Sequence, residues 1–148
     1  PMWDKLKETV LYLRSKGLRV DGIGWQGHLK LSRSTSQFTE NTDQALKDLS
    51  ELIDWAHSNN LDFHVTELDY KLTDQSNLAS EFQEQAQLYQ KIINVLQSKV
   101  NTGVVTLNLW DLGQRLKKPN IYFQSIYDAN FKPTPAYTVI KNAIINNQ

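Results

Sequence analysis

Leu61-Asp62-Phe63-His64-Val65-Thr66-Glu67-Leu68 (LDFHVTEL) is the stretch whose reading decides the fold. It is short and starts where a helical pattern stops, so it reads as a strand. Before it, Ala45, Leu49, Leu52, Ile53 and Ala56 recur at helical spacing. Asn41 or Thr42 can cap that helix, and Asn59-Asn60 ends it. After it, a loop over 69–77 leads to Leu78, Phe82, Tyr89, Ile92, Ile93 and Leu96, a second helical face that closes near Asn101-Thr102-Gly103. A strand set between two long amphipathic helices predicts crossover connections and parallel neighbours.

The pattern repeats outward. Leu18 to Trp25 and Val104 to Trp110 read as two further strands, the latter the most β-prone run in the chain. Trp3, Leu6, Val10 and Leu13 form a leading helix that stops at Gly17. Pro133 and Pro135 precede a last helix with Tyr137, Ile140, Ala143 and Ile144 on one face. Leu29 to Glu40, rich in Ser and Thr, is expected to be a long loop. Residues 111–127 show no strong period, and Lys117-Lys118-Pro119-Asn120 marks a loop tip. Gly24, Glu67 and Trp110 fall at the C-terminal ends of the three strands, 43 residues apart in both intervals. A parallel α/β barrel averages about 31 residues per unit, so these units carry enlarged loops. Three strands cannot close a barrel. The chain is either a small open α/β domain or part of something larger.

Composition narrows the function. At 148 residues the chain is the size of one domain, with 16 basic and 16 acidic residues. A nucleic-acid or anionic-membrane partner would favour a basic excess, and there is none. No apolar run approaches the ~20 residues that span a bilayer. Cysteine is absent, which excludes disulfides and thiolate metal sites, and the three histidines are too scattered for a metal cluster. Gly22-Ile23-Gly24-Trp25-Gln26-Gly27 spells a G-x-G-x-x-G string, but His28 to Ser34 lacks the amphipathic helix a dinucleotide site needs. No cofactor is therefore expected. The chain begins at Pro1 and runs straight into a helical pattern, as an internal cut would.

Four residues stand out as site candidates. If Leu18 to His28 stays extended, Val20, Gly22, Gly24, Gln26 and His28 share one face. The two glycines then leave room beside a polar pair at the strand's C-terminal end, where parallel α/β folds bind ligands. The plainer reading is that the glycines mark a bend and the polar pair caps the strand. Glu67 ends the central strand, where a carboxylate is badly placed for packing and well placed for catalysis; against this, a lone Glu is usually a solvated loop acid. Asp69 lies two residues on. Trp110 ends the third strand, and an indole face suits a sugar ring, although a core role is the ordinary one. Trp3, Trp25 and Trp55 are assigned to packing, and His57 and His64 to structure.

Three strings, DGIGWQGH (Asp21 to His28), HVTELD (His64 to Asp69) and YDANFKPTPAY (Tyr127 to Tyr137), together resemble family ten of the glycoside hydrolases, the endo-β-1,4-xylanases. Their order and spacing match over nearly the whole chain. The resemblance implies that residues 1–148 form the C-terminal portion of a (β/α)8 barrel, about three parallel strands with flanking helices. It implies a retaining hydrolase of xylan-like polysaccharide, with Glu67 the nucleophile, His28 bonded to that carboxylate, Gln26 lining the subsite and Trp110 flooring it. It also implies secretion, and an acid/base Glu in a preceding part of the barrel. That part, or a second copy, would be the protein partner. Asp111-Leu112-Gly113-Gln114-Arg115 departs from the family, which has a Gly after the strand-eight Trp and a second Trp soon after. A non-catalytic carbohydrate- or partner-binding α/β domain is the alternative.

Overall fold

The computed structural model describes residues 3–30, 33–118 and 121–145, apart from the side chains of 33–36, 115–118 and 121. The chain runs α1 (Asp4–Ser15), β1 (Gly22–Trp25), β2 (His28–Leu29), α2 (Arg33–Glu40), α3 (Thr42–Ser58), β3 (Asp62–Leu72), α4 (Leu78–Gln97), β4 (Val105–Leu109), β5 (Arg115–Lys118), β6 (Ile121–Gln124) and α5 (Pro135–Ile145). The three expected strands are β1, β3 and β4. They are parallel, with β3 in the centre, and β2 continues alongside β3 beyond β1.

Register assigns the two faces of this sheet. Ile23, Phe63 and Val105 lie abreast, followed by Trp25, Val65 and Leu107. Phe63 and Val65 are fully buried with Leu49, Leu52, Ile53 and Ala56 of α3 and Tyr89 and Ile92 of α4. Burying a Leu or Ile of this kind contributes about 2 kcal/mol, so these stripes dock the helices. The opposite face carries Gly22 beside Asp62, then Gly24, His64 and Thr106 abreast. That face is small and polar.

Four sequence expectations need correction. The supposed loop from Leu29 to Glu40 contains α2, whose Phe38 is buried and stacks on Trp25 at 5.0 Å. A helix with so few apolar residues has no visible period. Asn41 does occupy the N-cap of α3, but its side chain makes no cap bond. Helix α2 leads directly into α3, and the Thr42 hydroxyl donates back to the Phe38 carbonyl. The supposed loop from Asp69 begins as strand: β3 continues to Leu72 and pairs antiparallel with β6. Residues 111–127, expected to be irregular, include the β5–β6 hairpin, although part of its predicted tip (Pro119, Asn120) lies outside the described residues.

The residues assigned to structure behave so. His57 bonds the Thr102 hydroxyl (2.7 Å) and the Val104 carbonyl (3.1 Å), and it lies so close over Gly103 that a Cβ there would sit 2.5 Å from its ring. His64 bonds the Thr106 hydroxyl across the sheet at 2.8 Å. Trp25 is buried, edge-on to Trp3.

Candidate active site

Strict alternation along β3 would put Glu67 on the same face as Phe63 and Val65, inside the helix-covered core. A bulge prevents this. Asn108 alone lies opposite Thr66 and Glu67, and Gln26-Gly27 lie opposite Thr66, Glu67 and Leu68. The extra residue shifts the phase so that Leu68 returns to the core while Glu67 opens toward the end of the sheet, with its side chain 24% exposed.

The neighbouring segment is shaped to meet it. Gly27 has φ +76°, and a Cβ there would press on Val65 and Leu68 at 3.2–3.4 Å, so glycine is required on both counts. This turn separates β1 from β2 and ends the extended run from Leu18 that the sequence suggested. The Glu67 amide donates to the Gln26 carbonyl (2.9 Å) and the Asp69 amide to the Gly27 carbonyl (3.3 Å). The turn thereby fixes the backbone on either side of Glu67 and sets His28 abreast of Asp69.

His28 joins the two carboxylates. Its Nδ1 lies 2.8 Å from Asp69 Oδ1, and its Nε2 lies 3.1 Å from Glu67 Oε2. A carboxylate only accepts, so the contact with Asp69 favours a proton on Nδ1. Asp69 is only 1% exposed and His28 is half-buried, so the chain runs from the interior outward to Glu67. The other ring nitrogen faces the carboxylate that the sequence singled out as a nucleophile.

Aromatic edges hold the imidazole. Trp110 and Phe123 each approach the His28 ring at 6.2 Å, inclined at 85° and 73°. The Trp110 amide donates to the Leu68 carbonyl, and the residue is 41% exposed. Gln26 is exposed at the same end. The structure thus brings Gln26, His28, Glu67 and Trp110 together. Asp69 and Phe123 join them although the sequence reading assigned them no role. The signal for Asp69 was its two-residue spacing from Glu67; Phe123 enters only through the hairpin. Among the described residues no group of three or more His, Asp or Glu side chains is arranged to hold a metal ion.

Comparison with known proteins bears on the family and the fold. Residues 3–143 match the sequence model of Glycosyl hydrolase family 10. Endo-1,4-beta-xylanase 5 of Pyricularia oryzae is 27% identical over 138 residues, covering 91% of this chain and 32% of that protein. Exoglucanase XynX of Acetivibrio thermocellus is 27% identical over 142 residues, covering 94% of this chain and 11% of that protein. Among solved structures, the Penicillium canescens endo-1,4-beta-xylanase XylE superposes with a TM-score of 0.72 at 22% identity, over 94% of this chain and 40% of that one. Xylanase 10B of Thermotoga maritima gives a TM-score of 0.71 at 19% identity, over 96% and 42%. At these identities the structural likeness bears on fold alone: the chain has the fold of the C-terminal units of a (β/α)8 barrel. It spans about a third of the length of the fungal relative and about two-fifths of the matched structures.

Proposed function

Because the chain belongs to glycosyl hydrolase family 10, we propose that it works within a parent protein that cleaves xylan-like β-1,4-linked polysaccharide with retention, using Glu67 as the nucleophile. One observation carries the reading: a bulge turns Glu67 out of the core and onto a histidine whose other nitrogen is held by a buried aspartate. In the first step a Glu67 oxygen attacks the anomeric carbon while an acid from the preceding βα units protonates the departing glycosidic oxygen. In the second step water, deprotonated by that same group, displaces Glu67. His28 holds the Glu67 side chain in place for the attack, and Glu67 is a carboxylate again once water has displaced it. Trp110 offers its indole face to the sugar ring, and Gln26 offers polar contacts beside it. A polymeric substrate too large to enter a cell suits a secreted parent.

Relatives of similar identity carry both xylanase and exoglucanase names, so the test uses both xylan and β-1,4-glucan. Reducing-sugar release by the parent is measured on each, and the anomer formed first is read by proton NMR. Xylan is expected to be the better substrate, with the β-anomer appearing first. An α-anomer formed first would contradict the nucleophile. Binding to xylan without hydrolysis would instead favour the carbohydrate-binding alternative.

A further inference from the structure

Outside the site just described, a cluster of ionisable side chains surrounds Lys30. Its ammonium lies 2.6 Å from the Tyr70 hydroxyl, 2.7 Å from Glu84 and 3.4 Å from Glu81, and 4.6 Å above the Tyr70 ring. The Lys30 side chain is 12% exposed, that of Glu81 is 7% exposed, and Tyr70 is fully buried. Removing these groups from water is costly, and the lysine backbone is itself left-handed, with φ 61°. A plain surface turn needs neither.

Position supplies the reason. Strand β2 consists of His28 and Leu29 alone, and its ladder is His28 with Asp69 and Leu29 with Tyr70. Two pairs hold a strand weakly. The ladder is cross-linked by side chains at both ends: His28 to Asp69 at the start, and Lys30 to Tyr70 just past the end. Leu29, fully buried, lies between them.

We propose that Lys30 is a positioning residue for the reaction: clamped to Tyr70, Glu84 and Glu81, it fixes β2 and thereby holds the His28 ring between Asp69 and Glu67. The inference rests on the reading of Glu67 as nucleophile. The clamp has a definite polarity. Burial first, then the hydrogen bond to Glu84, pushes the Tyr70 hydroxyl far above its ordinary range, so it stays protonated and donates to Glu84 while accepting from Lys30. Burial works against the charge on Glu81, but bonds from the Thr73 hydroxyl and amide, with Lys30 nearby, outweigh it and hold this carboxyl below its usual range. Both Glu81 and Glu84 stand in the first turns of α4, so the clamp ties β2 to a helix docked on the main core.

The test is made in the parent enzyme with Lys30→Met, Tyr70→Phe and, as reference, His28→Gln. Tyr70→Phe keeps the ring and removes only the hydroxyl, so it serves if Lys30→Met fails to fold. A misplacement of about 1 Å remote from the chemistry can cost up to ~100-fold. For Lys30→Met, kcat is therefore expected to fall about 10- to 100-fold with KM nearly unchanged, and Tyr70→Phe is expected to follow in the same direction with a smaller loss. The distinguishing readout is the acid limb of the kcat/KM profile. Among the described residues, His28 on β2 bonds Glu67, and Asp69 bonds the far side of His28. A displaced imidazole leaves the Glu67 carboxylate without that hydrogen-bond partner, so the limb is expected to move up. A fall in kcat proportional to lost folded protein, with the limb unmoved, overturns the inference, as does Tyr70→Phe indistinguishable from wild type. His28→Gln is expected to move the limb in the same direction. If that variant has wild-type kinetics, the nucleophile reading fails and the clamp's role fails with it, an outcome distinct from failure of the Lys30 and Tyr70 variants alone.

Discussion

Glu67→Ala in the parent protein is expected to abolish glycosidase turnover, with kcat reduced on the order of 10⁴-fold or more, and to leave the fold nearly unchanged. Deleting a nucleophile removes the covalent route itself, so the loss is far larger than that of a binding contact. Stability is a separate matter. The Glu67 side chain is partly exposed at the end of the sheet, and its described side-chain bond is to His28, which water can also reach. Substitutions of this kind change stability by roughly 1 kcal/mol or less. Thermal melts and kinetics on the same samples separate the two effects. Near-normal turnover would place the nucleophile elsewhere, and a large loss of stability would mean that the bulge itself depends on this carboxylate.

The 148-residue chain on its own is expected to release no measurable sugar from xylan and to associate as its concentration rises. Retaining hydrolysis needs a second carboxyl about 5–5.5 Å from the first. Asp69 cannot serve, because it is buried against the far nitrogen of His28. Association follows from the sheet. Among the described residues, β1 and β4 each pair with β3 alone, so each has a free edge. The sheet face away from the helices is not where the apolar surface lies: Val65 is fully buried on the helix side, and the uncovered face carries Gly24, His64 and Thr106. The apolar exposure is instead around a groove of about 330 Å³ beside β4, lined by Val105, Leu107, Leu109, Ile140 and Ile144, with Val100 and Val104 exposed near it. Contiguous surface of this kind is what soluble proteins cover. Light scattering over a concentration series, with a reducing-sugar assay on each sample, reads both halves. A monomer at high concentration would contradict the free-edge argument, and steady sugar release would mean that an acid is present after all.

The sequence showed most clearly what simple periodicity records. The apolar stripes of α3 and α4 and the even spacing of Gly24, Glu67 and Trp110 foretold parallel strands with their functional ends together. Periodicity failed where one residue carries an element. Helix α2 is held by Phe38 on Trp25 and had no stripe to show. In β3, Leu68, Tyr70 and Leu72 alternate and could have extended the strand, but a loop was expected after Leu68. The bulge was hidden for a different reason. It breaks the alternation that reveals strands, and only pairing with two neighbours shows that Thr66 and Glu67 share one place. The partners of His28 were half legible: Glu67 came through the family resemblance, whereas Asp69 is recognisable as a partner only once β2 is seen beside β3.

The role of Glu67 is read most directly by trapping the glycosyl-enzyme. The parent protein is incubated with an activated 2-deoxy-2-fluoro-β-xylobioside, whose second step is slow, then digested and analysed by mass spectrometry. A label equal to one fluoroxylobiosyl unit is predicted on the peptide carrying Glu67, and none on that peptide in the Glu67→Ala variant. A label on another carboxylate, or rapid turnover of natural substrate without any covalent adduct, would contradict the assignment.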